Sequence, residues 1–227
     1  MVECLLCTKQ FSNGLSFQDI FSFRPLTAPS ICSHCQQTFN SLVEKPTCSS
    51  CGRLLNEQLV NPCNDCQKWE NDSFTNRALY EYNSALKDYM ARYKFMGDYR
   101  LRFVFQSELS QAIKQEGKIV IAIPVNQTTL RTRGFNQVTG WFANIKYYDV
   151  LTPITTTKTV AQSQKNRRER LELKQPFELI ARAVPVIKDR DVLIVDDVYT
   201  TGRTIRHAAD LIKVAGARSV TGLTLAR

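Results

Sequence analysis

Two carboxylates and a cluster of hydroxyls stand together near residue 200, where the chain reads VLIVDDVYTTGRT from Val192 to Thr204. Thr200, Thr201, Gly202 and Thr204 form a turn of small, hydrogen-bonding residues. A helical pattern then runs from Thr204 to Val214 and closes on Gly216. Unpaired backbone N–H groups and the positive end of the helix dipole meet at such a turn, which suits a phosphate. Asp196 and Asp197 cannot serve that phosphate, because like charges repel. They suit something joined to it, such as the vicinal hydroxyls of a ribose or a bound Mg2+.

A second chemistry lies at the other end of the chain. All 8 cysteines precede residue 67 and fall as C-x-x-C pairs: Cys4 with Cys7, Cys32 with Cys35, Cys48 with Cys51, and Cys63 with Cys66. Two thiolates on one knuckle supply half of a tetrahedral site, so the four knuckles make two structural Cys4 sites for Zn2+. Disulfides would need an exported protein, and a redox C-x-x-C would need a thioredoxin-like context that this sequence lacks. The close spacing of Cys48, Cys51, Cys63 and Cys66 favours one compact ribbon, leaving Cys4, Cys7, Cys32 and Cys35 around a longer loop that carries Phe11, Phe17, Ile20, Phe21 and Phe23. An interleaved pairing, first knuckle with third, stays open. His34 reads as a knuckle side chain rather than a ligand.

The elements that must position these groups follow from hydrophobic patterning. Val192 to Val195 is an apolar run without alternation, as expected of a strand buried on both faces of a parallel sheet. Lys118 to Val125, KIVIAIPV, is a second. Arg77 to Tyr82 reads as a short strand, followed by a helix with Leu86, Tyr89, Met90 and Tyr93 on one face that ends at Gly97. Further helices are expected over Leu101–Gln115 and around Phe135–Ile145, with strands near Val150–Thr155 and over Val220–Leu225. The loop after the second strand brings together Arg131, Thr132, Arg133 and Gly134. Two guanidiniums in a turn can hold a diphosphate in their forks.

Charge divides the chain. Residues 1–72 hold 5 Lys and Arg against 7 Asp and Glu, leaving 25 against 14 for the remainder. Clustered cations on one domain favour a polyanionic partner, either nucleic acid or a phosphate-rich small molecule. The most basic window contains Lys158, Lys165, Arg167, Arg168, Arg170 and Lys174. It is either a solvated loop or a binding one. In RYKFMGDYRLR, Arg92, Lys94, Arg100 and Arg102 alternate with Tyr93, Phe95 and Tyr99, a pattern shared by single-strand binders and by amphipathic helices ending against a core. The expected domains are residues 1–70, a double zinc ribbon, and residues 75–227, an α/β domain. The start of the sequence shows neither a basic leader with an apolar core nor a bilayer-long apolar run, so a cytoplasmic protein without a transmembrane segment is expected.

The stretch VDDVYTTGRT resembles the signature loop of the type I phosphoribosyltransferase fold, a parallel sheet flanked by helices, which binds 5-phosphoribosyl-1-pyrophosphate (PRPP). The resemblance implies that Asp196 and Asp197 face the ribose hydroxyls. Thr200, Thr201, Gly202 and Thr204 would hold the 5'-phosphate, the Arg131–Gly134 loop the pyrophosphate, and Mg2+ would accompany the ligand. RTRGFNQ and AQSQKNRRERL narrow the likeness to the ComF family, although Leu173 or Lys174 stands near where that family usually has Asn. For such a protein, Lys165, Arg167, Arg168 and Arg170 would lie on the flexible loop over the site and contact DNA. The family implies a role in natural transformation, peripheral to the membrane DNA-uptake machinery, with single-stranded DNA and the helicase-like ComFA as partners. An active enzyme, transferring phosphoribose from PRPP to a base or amine, is the alternative; no base-specific pocket is legible. A third reading is a PRPP sensor that adjusts DNA binding through Arg131 and Arg133.

Overall fold

The two apolar runs lie side by side as parallel strands. The computed structural model describes residues 1–12, 29–56, 60–69, 73–154 and 175–227. In the cysteine-bearing segment these form β1 (Val2–Glu3), β2 (Gln10–Phe11), α1 (Ser33–Gln37) and α2 (Asn64–Gln67). There follow β3 (Thr75–Tyr80), α3 (Ser84–Met90), α4 (Arg102–Glu116), β4 (Ile119–Ala122), α5 (Gln127–Arg133) and α6 (Gln137–Gly140). The remainder is β5 (Leu151–Pro153), β6 (Phe177–Leu179), α7 (Val184–Ile187), β7 (Asp191–Val198), α8 (Arg203–Val214) and β8 (Ser219–Ala226). A π-helical turn, Ala91–Phe95, continues α3.

The central sheet has the order β3-β8-β7-β4, with every pairing parallel. Ile119 lies opposite Val192, and Val192 opposite Val220. Successive side chains of a strand point to opposite faces, and here both faces are covered. Leu193 and Val195 join Leu86, Tyr89, Tyr93, Phe105 and Trp141 on one side. Val192 and Ile194 join Phe177, Ile187 and the apolar stripe of α8 on the other. That double burial is why the run shows no polar alternation. The stripe is Ile205, Ala208, Ala209 and Ile212, at the spacing of one helical face. Burying Ile205 and Ile212 contributes about 1.5–3 kcal/mol each.

Several expected boundaries shift. β7 continues past Val195 because Asp196 and Val198 still pair with Thr224 and Ala226, so both carboxylates lie inside the strand. The Arg131–Gly134 turn is the end of a helix. The Asn126 side chain caps α5 by accepting from the Thr129 N–H at 2.7 Å, and Gly134 closes it in the left-handed region. Cations in the last helical turn suit the helix dipole. The helix expected over 135–145 is only α6, and β5 pairs antiparallel with β6 outside the central sheet.

The cysteine-bearing segment is packed on the sheet rather than apart from it. The Leu42 N–H donates to the Leu79 carbonyl at 2.8 Å and the Glu81 N–H to the Asn40 carbonyl at 2.9 Å, so residues 40–42 run along the outer edge of β3. Cys4 and Cys35 are buried in the first apolar cluster. Cys48, Cys51, Cys63 and Cys66 are buried in the second. Among the described residues no helix is long and apolar enough to cross a membrane.

Candidate functional site

The eight thiols resolve into two groups, Cys4, Cys7, Cys32 and Cys35, and Cys48, Cys51, Cys63 and Cys66, so consecutive knuckles pair. Within each group all sulfur atoms lie within 4.8 Å of one another, and each group could hold a metal ion. The Cys7–Cys32 and Cys51–Cys63 sulfurs are 3.8 Å apart. That is about the edge of a tetrahedron with metal–sulfur bonds of about 2.3 Å. The Cys32 N–H donates to Cys4 Sγ and the Cys63 N–H to Cys48 Sγ, both at 3.3 Å, which favours thiolates. A hydrogen bond from Cys66, aided by the Arg227 guanidinium, holds the Cys51 thiol below its ordinary range.

The second cysteine group braces the β7–α8 loop. Gly52, in the left-handed region, sits so close to β3 that a Cβ there would stand 2.8 Å from the Ala78 nitrogen. The Asn76 N–H donates to the Ser50 carbonyl at 2.8 Å, and the Asn76 amide donates to the Cys51 carbonyl at 3.2 Å and to Thr224 Oγ1 at 3.0 Å. Arg206 of α8, only 1% exposed, donates from Nη2 to Ser50 Oγ at 2.8 Å and from Nε to Tyr199 Oη at 3.0 Å. Its guanidinium also lies over the Trp69 ring. Tyr199 in turn packs beneath Gly202, whose positive φ of 76° begins α8 and leaves no room for a Cβ. Arg227 donates to the Thr200 carbonyl at 2.8 Å. Thr200 and Thr204 are exposed, while Thr201 is half-buried and Gly202 buried. The loop therefore exposes Thr200 and Thr204, while the Arg203 N–H at the start of α8 donates to Thr201 Oγ1 at 3.5 Å and the underside is held by two arginines.

The two carboxylates differ. Asp197 accepts from Lys94 Nζ at 2.5 Å and from Gln137 Nε2 at 2.6 Å, both on Oδ2, while the Val198 N–H donates to its Oδ1 at 2.6 Å. Asp196 is buried and accepts from the Asp197 N–H at 2.8 Å. Loss of hydration, reinforced by the neighbouring Asp197 charge, pushes its pKa from 3.8 up to about 8. The native state thus holds a proton that the unfolded chain has released across that interval, so this group lowers stability as pH rises from about 4 to about 8. Asp196→Asn, which keeps the accepting oxygen, should raise the melting temperature at pH 8 by about 4 °C or more and change it little at pH 4. An equal shift at both pH values would contradict the assignment.

Arg133 turns inward. Its Nε donates to the Lys94 carbonyl at 2.8 Å and its Nη1 to Gln137 Oε1, and burial lowers its pKa. Arg131 and Thr132 are exposed, with Thr132 Oγ1 bonded to the Thr128 carbonyl at 3.0 Å. The structure therefore brings Arg133 to the Asp197 network through Gln137 and leaves Arg131 on the outside. Lys165, Arg167, Arg168 and Arg170 lie outside the described residues, as does the loop carrying Phe17, Ile20, Phe21 and Phe23. Sequence reasoning missed Lys94, Gln137, Tyr199 and Arg206. Gln137 stood in the RGFNQ segment, and Lys94 was visible only as one cation among aromatics.

Residues 133–227 match the family described as Phosphoribosyl transferase domain. With a parallel sheet covered by helices on both faces, this defines a domain of the phosphoribosyltransferase fold, preceded by two four-cysteine groups of zinc-ribbon type. The chain is 37% identical to Competence protein ComFC of Streptococcus pneumoniae over the whole of both chains. It is 29% identical to Competence protein ComFC of Bacillus subtilis over 99% of this chain and 94% of that one. Competence protein F of Haemophilus influenzae is 25% identical over 87% of this chain and 90% of that one. The chain belongs to the ComFC family of competence proteins.

Proposed function

We propose that this protein is a cytoplasmic competence factor that binds single-stranded DNA and a PRPP-type ligand and assists DNA uptake with a ComFA-like helicase. The observation that carries the reading is the β7–α8 loop. It follows directly on the strand that carries Asp196 and Asp197, exposes Thr200 and Thr204 ahead of and at the start of α8, and is braced from below by Arg206 and Arg227. The N–H groups of Thr201 to Thr204 would hold the 5'-phosphate, and Asp196 and Asp197 the ribose side of the ligand. Arg131 and Arg133 belong to the diphosphate side. Mg2+ with the ligand would neutralise the diphosphate and the carboxylates together. Zn2+ fits both thiolate groups, whose ligand type and sulfur spacing suit it. In this reading residues 1–70 form the zinc module and residues 75–227 the ligand-binding domain. The competence names of the relatives and the cationic excess after residue 72 support the DNA role.

The test is fluorescence anisotropy of labelled single-stranded DNA, titrated with the protein at fixed salt with and without PRPP and Mg2+. Salt is held constant because phosphate contacts make affinity depend steeply on it. Saturable DNA binding that PRPP changes by threefold or more is expected. PRPP binding without DNA binding would move the protein to phosphoribosyl transfer.

A further inference from the structure

Three consecutive residues of the π-helical turn do three different things. Arg92 donates from Nη1 to the Leu6 carbonyl at 2.9 Å and from Nη2 to the Leu5 carbonyl at 2.8 Å, gripping the first knuckle between Cys4 and Cys7. Tyr93 is fully buried, and its hydroxyl donates to the Gln137 carbonyl at 3.0 Å. Lys94 sends its ammonium to Asp197. A π turn inserts one residue into the helical repeat and re-aims the side chains around it, and such turns recur at functional sites. Here the inserted turn is held at one end by the first cysteine group and at the other by the β7 carboxylate.

Gln137 completes the frame. Its amide donates to the same Asp197 oxygen as Lys94, its carbonyl oxygen Oε1 accepts from Arg133, and Arg133 also holds the Lys94 carbonyl. Two donors of Arg133 are thereby engaged inside the protein, and Arg131 faces outward. The cation that the fold places against the carboxylate is Lys94. A ligand carrying a 5'-phosphate and a diphosphate brings two separate anionic centres. The N-terminus of α8 can answer one of them. The other needs a cation next to the carboxylate that meets the sugar, and a flexible ammonium can exchange one oxygen partner for another.

We propose that Lys94 is a ligand-binding residue: it neutralises Asp197 in the free protein and becomes the counter-cation of the ligand's diphosphate when the sugar hydroxyls take over Asp197, with Gln137 as the positioning residue. The inference rests on the PRPP reading of the loop and adds to it a residue from a different element. It makes Lys94 a selector for ligands with a second anionic group.

The experiment is calorimetric titration of the full-length, zinc-loaded protein with PRPP and with ribose 5-phosphate, both with Mg2+. Lys94→Met should lower PRPP affinity by about tenfold or more, the loss of one charge-assisted contact, and change ribose 5-phosphate affinity by less than about threefold. Lys94→Arg should recover most of the loss. The ratio of the two affinities is the readout, because general damage to the site would lower both alike. An unchanged ratio overturns the assignment. Amine acetylation of the wild-type protein gives a check that needs no variant: ribose 5-phosphate, whose hydroxyls take over Asp197 without offering a diphosphate, should raise Lys94 labelling above that seen with PRPP. Equal labelling with the two ligands, in a protein that binds both, also overturns the assignment. A wild-type protein that binds neither ligand overturns the loop reading itself, and the Lys94 role falls with it.

Discussion

Cys51→Ser is expected to leave one zinc per chain instead of two and to loosen the α/β domain as well as the ribbon. The reach of the effect follows from packing. Cys51 is completely buried in the apolar cluster that holds Phe74, Ile194 and Ile205, so its cysteine group and one face of β7 share one core. Its carbonyl accepts from Asn76 of β3, and the neighbouring Ser50 holds both Asn76 and Arg206. Structural zinc sites of this type contribute on the order of 10 kcal/mol to folding in small peptides. Even a third of that, transmitted through Ser50 to α8, would lower the melting temperature by about 6–12 °C in a chain of this size. Zinc-to-protein ratios and thermal melts check the result. Cys7→Ser should also lose one zinc, but act on α3 and the π turn through Arg92. Retention of two zinc ions by Cys51→Ser would remove Cys51 from the ligand set. One zinc with an unchanged melt would show that this group does not brace the domain.

Arg206→Met carries the second large effect. The guanidinium is buried between the two halves of the protein, bonded to Ser50 on one side and Tyr199 on the other, with Trp69 and Phe74 against it. Methionine fills much of the stem but donates nothing, so the hydroxyls of Ser50 and Tyr199 lose this buried partner. Breaking a buried charged network by removing one member costs about 3 kcal/mol or more. The melting temperature should fall by about 6–12 °C. Tyr199 supports Gly202 from below, so the loop should also slacken and PRPP affinity should drop by about tenfold. Thermal melts and calorimetry on the same preparation separate the two consequences. A variant as stable as the wild type would mean that the loop and the second cysteine group are independent.

These two results turn on contacts that the sequence does not display. The buried strands were legible because Val192–Val195 and Ile119–Ala122 have both faces covered, which leaves only apolar residues to read. Helix α8 was legible from the spacing of Ile205, Ala208, Ala209 and Ile212, and the thiolate groups from C-x-x-C spacing. Arg206 was not, because it sits beside that stripe as an ordinary polar residue and acquires its partner from Ser50, 156 positions earlier. Lys94 was not, because a π turn leaves no mark in composition and the pattern of Leu86, Met90 and Tyr93 reads simply as helix. Arg131 to Gly134 read as a turn because the glycine follows the second apolar run so closely. The Asn126 cap at one end and Gly134 at the other bound it as a helix. Local chemistry can be read along the chain, whereas pairing between distant cations and carboxylates depends on the sheet register.

Register also separates the two aspartates, which in sequence looked equivalent. Both are buried, but neighbouring positions on β7 give Asp197 its lysine and glutamine partners and leave Asp196 with no cation against it among the described residues and a raised pKa. One is held by a cation, the Lys94 ammonium. The other gains charge only as pH approaches 8.

The central claim is that this loop and its carboxylates bind a phosphoribosyl diphosphate. Calorimetric titration of PRPP with Mg2+ into the zinc-loaded protein, alongside the variant carrying Asp196→Ala and Asp197→Ala, tests it most directly. Saturable binding of one ligand per chain is expected for the wild type, weakened by tenfold or more in the variant while its circular dichroism spectrum is retained. Absence of binding by the wild type, or equal affinity in a folded variant, would contradict it.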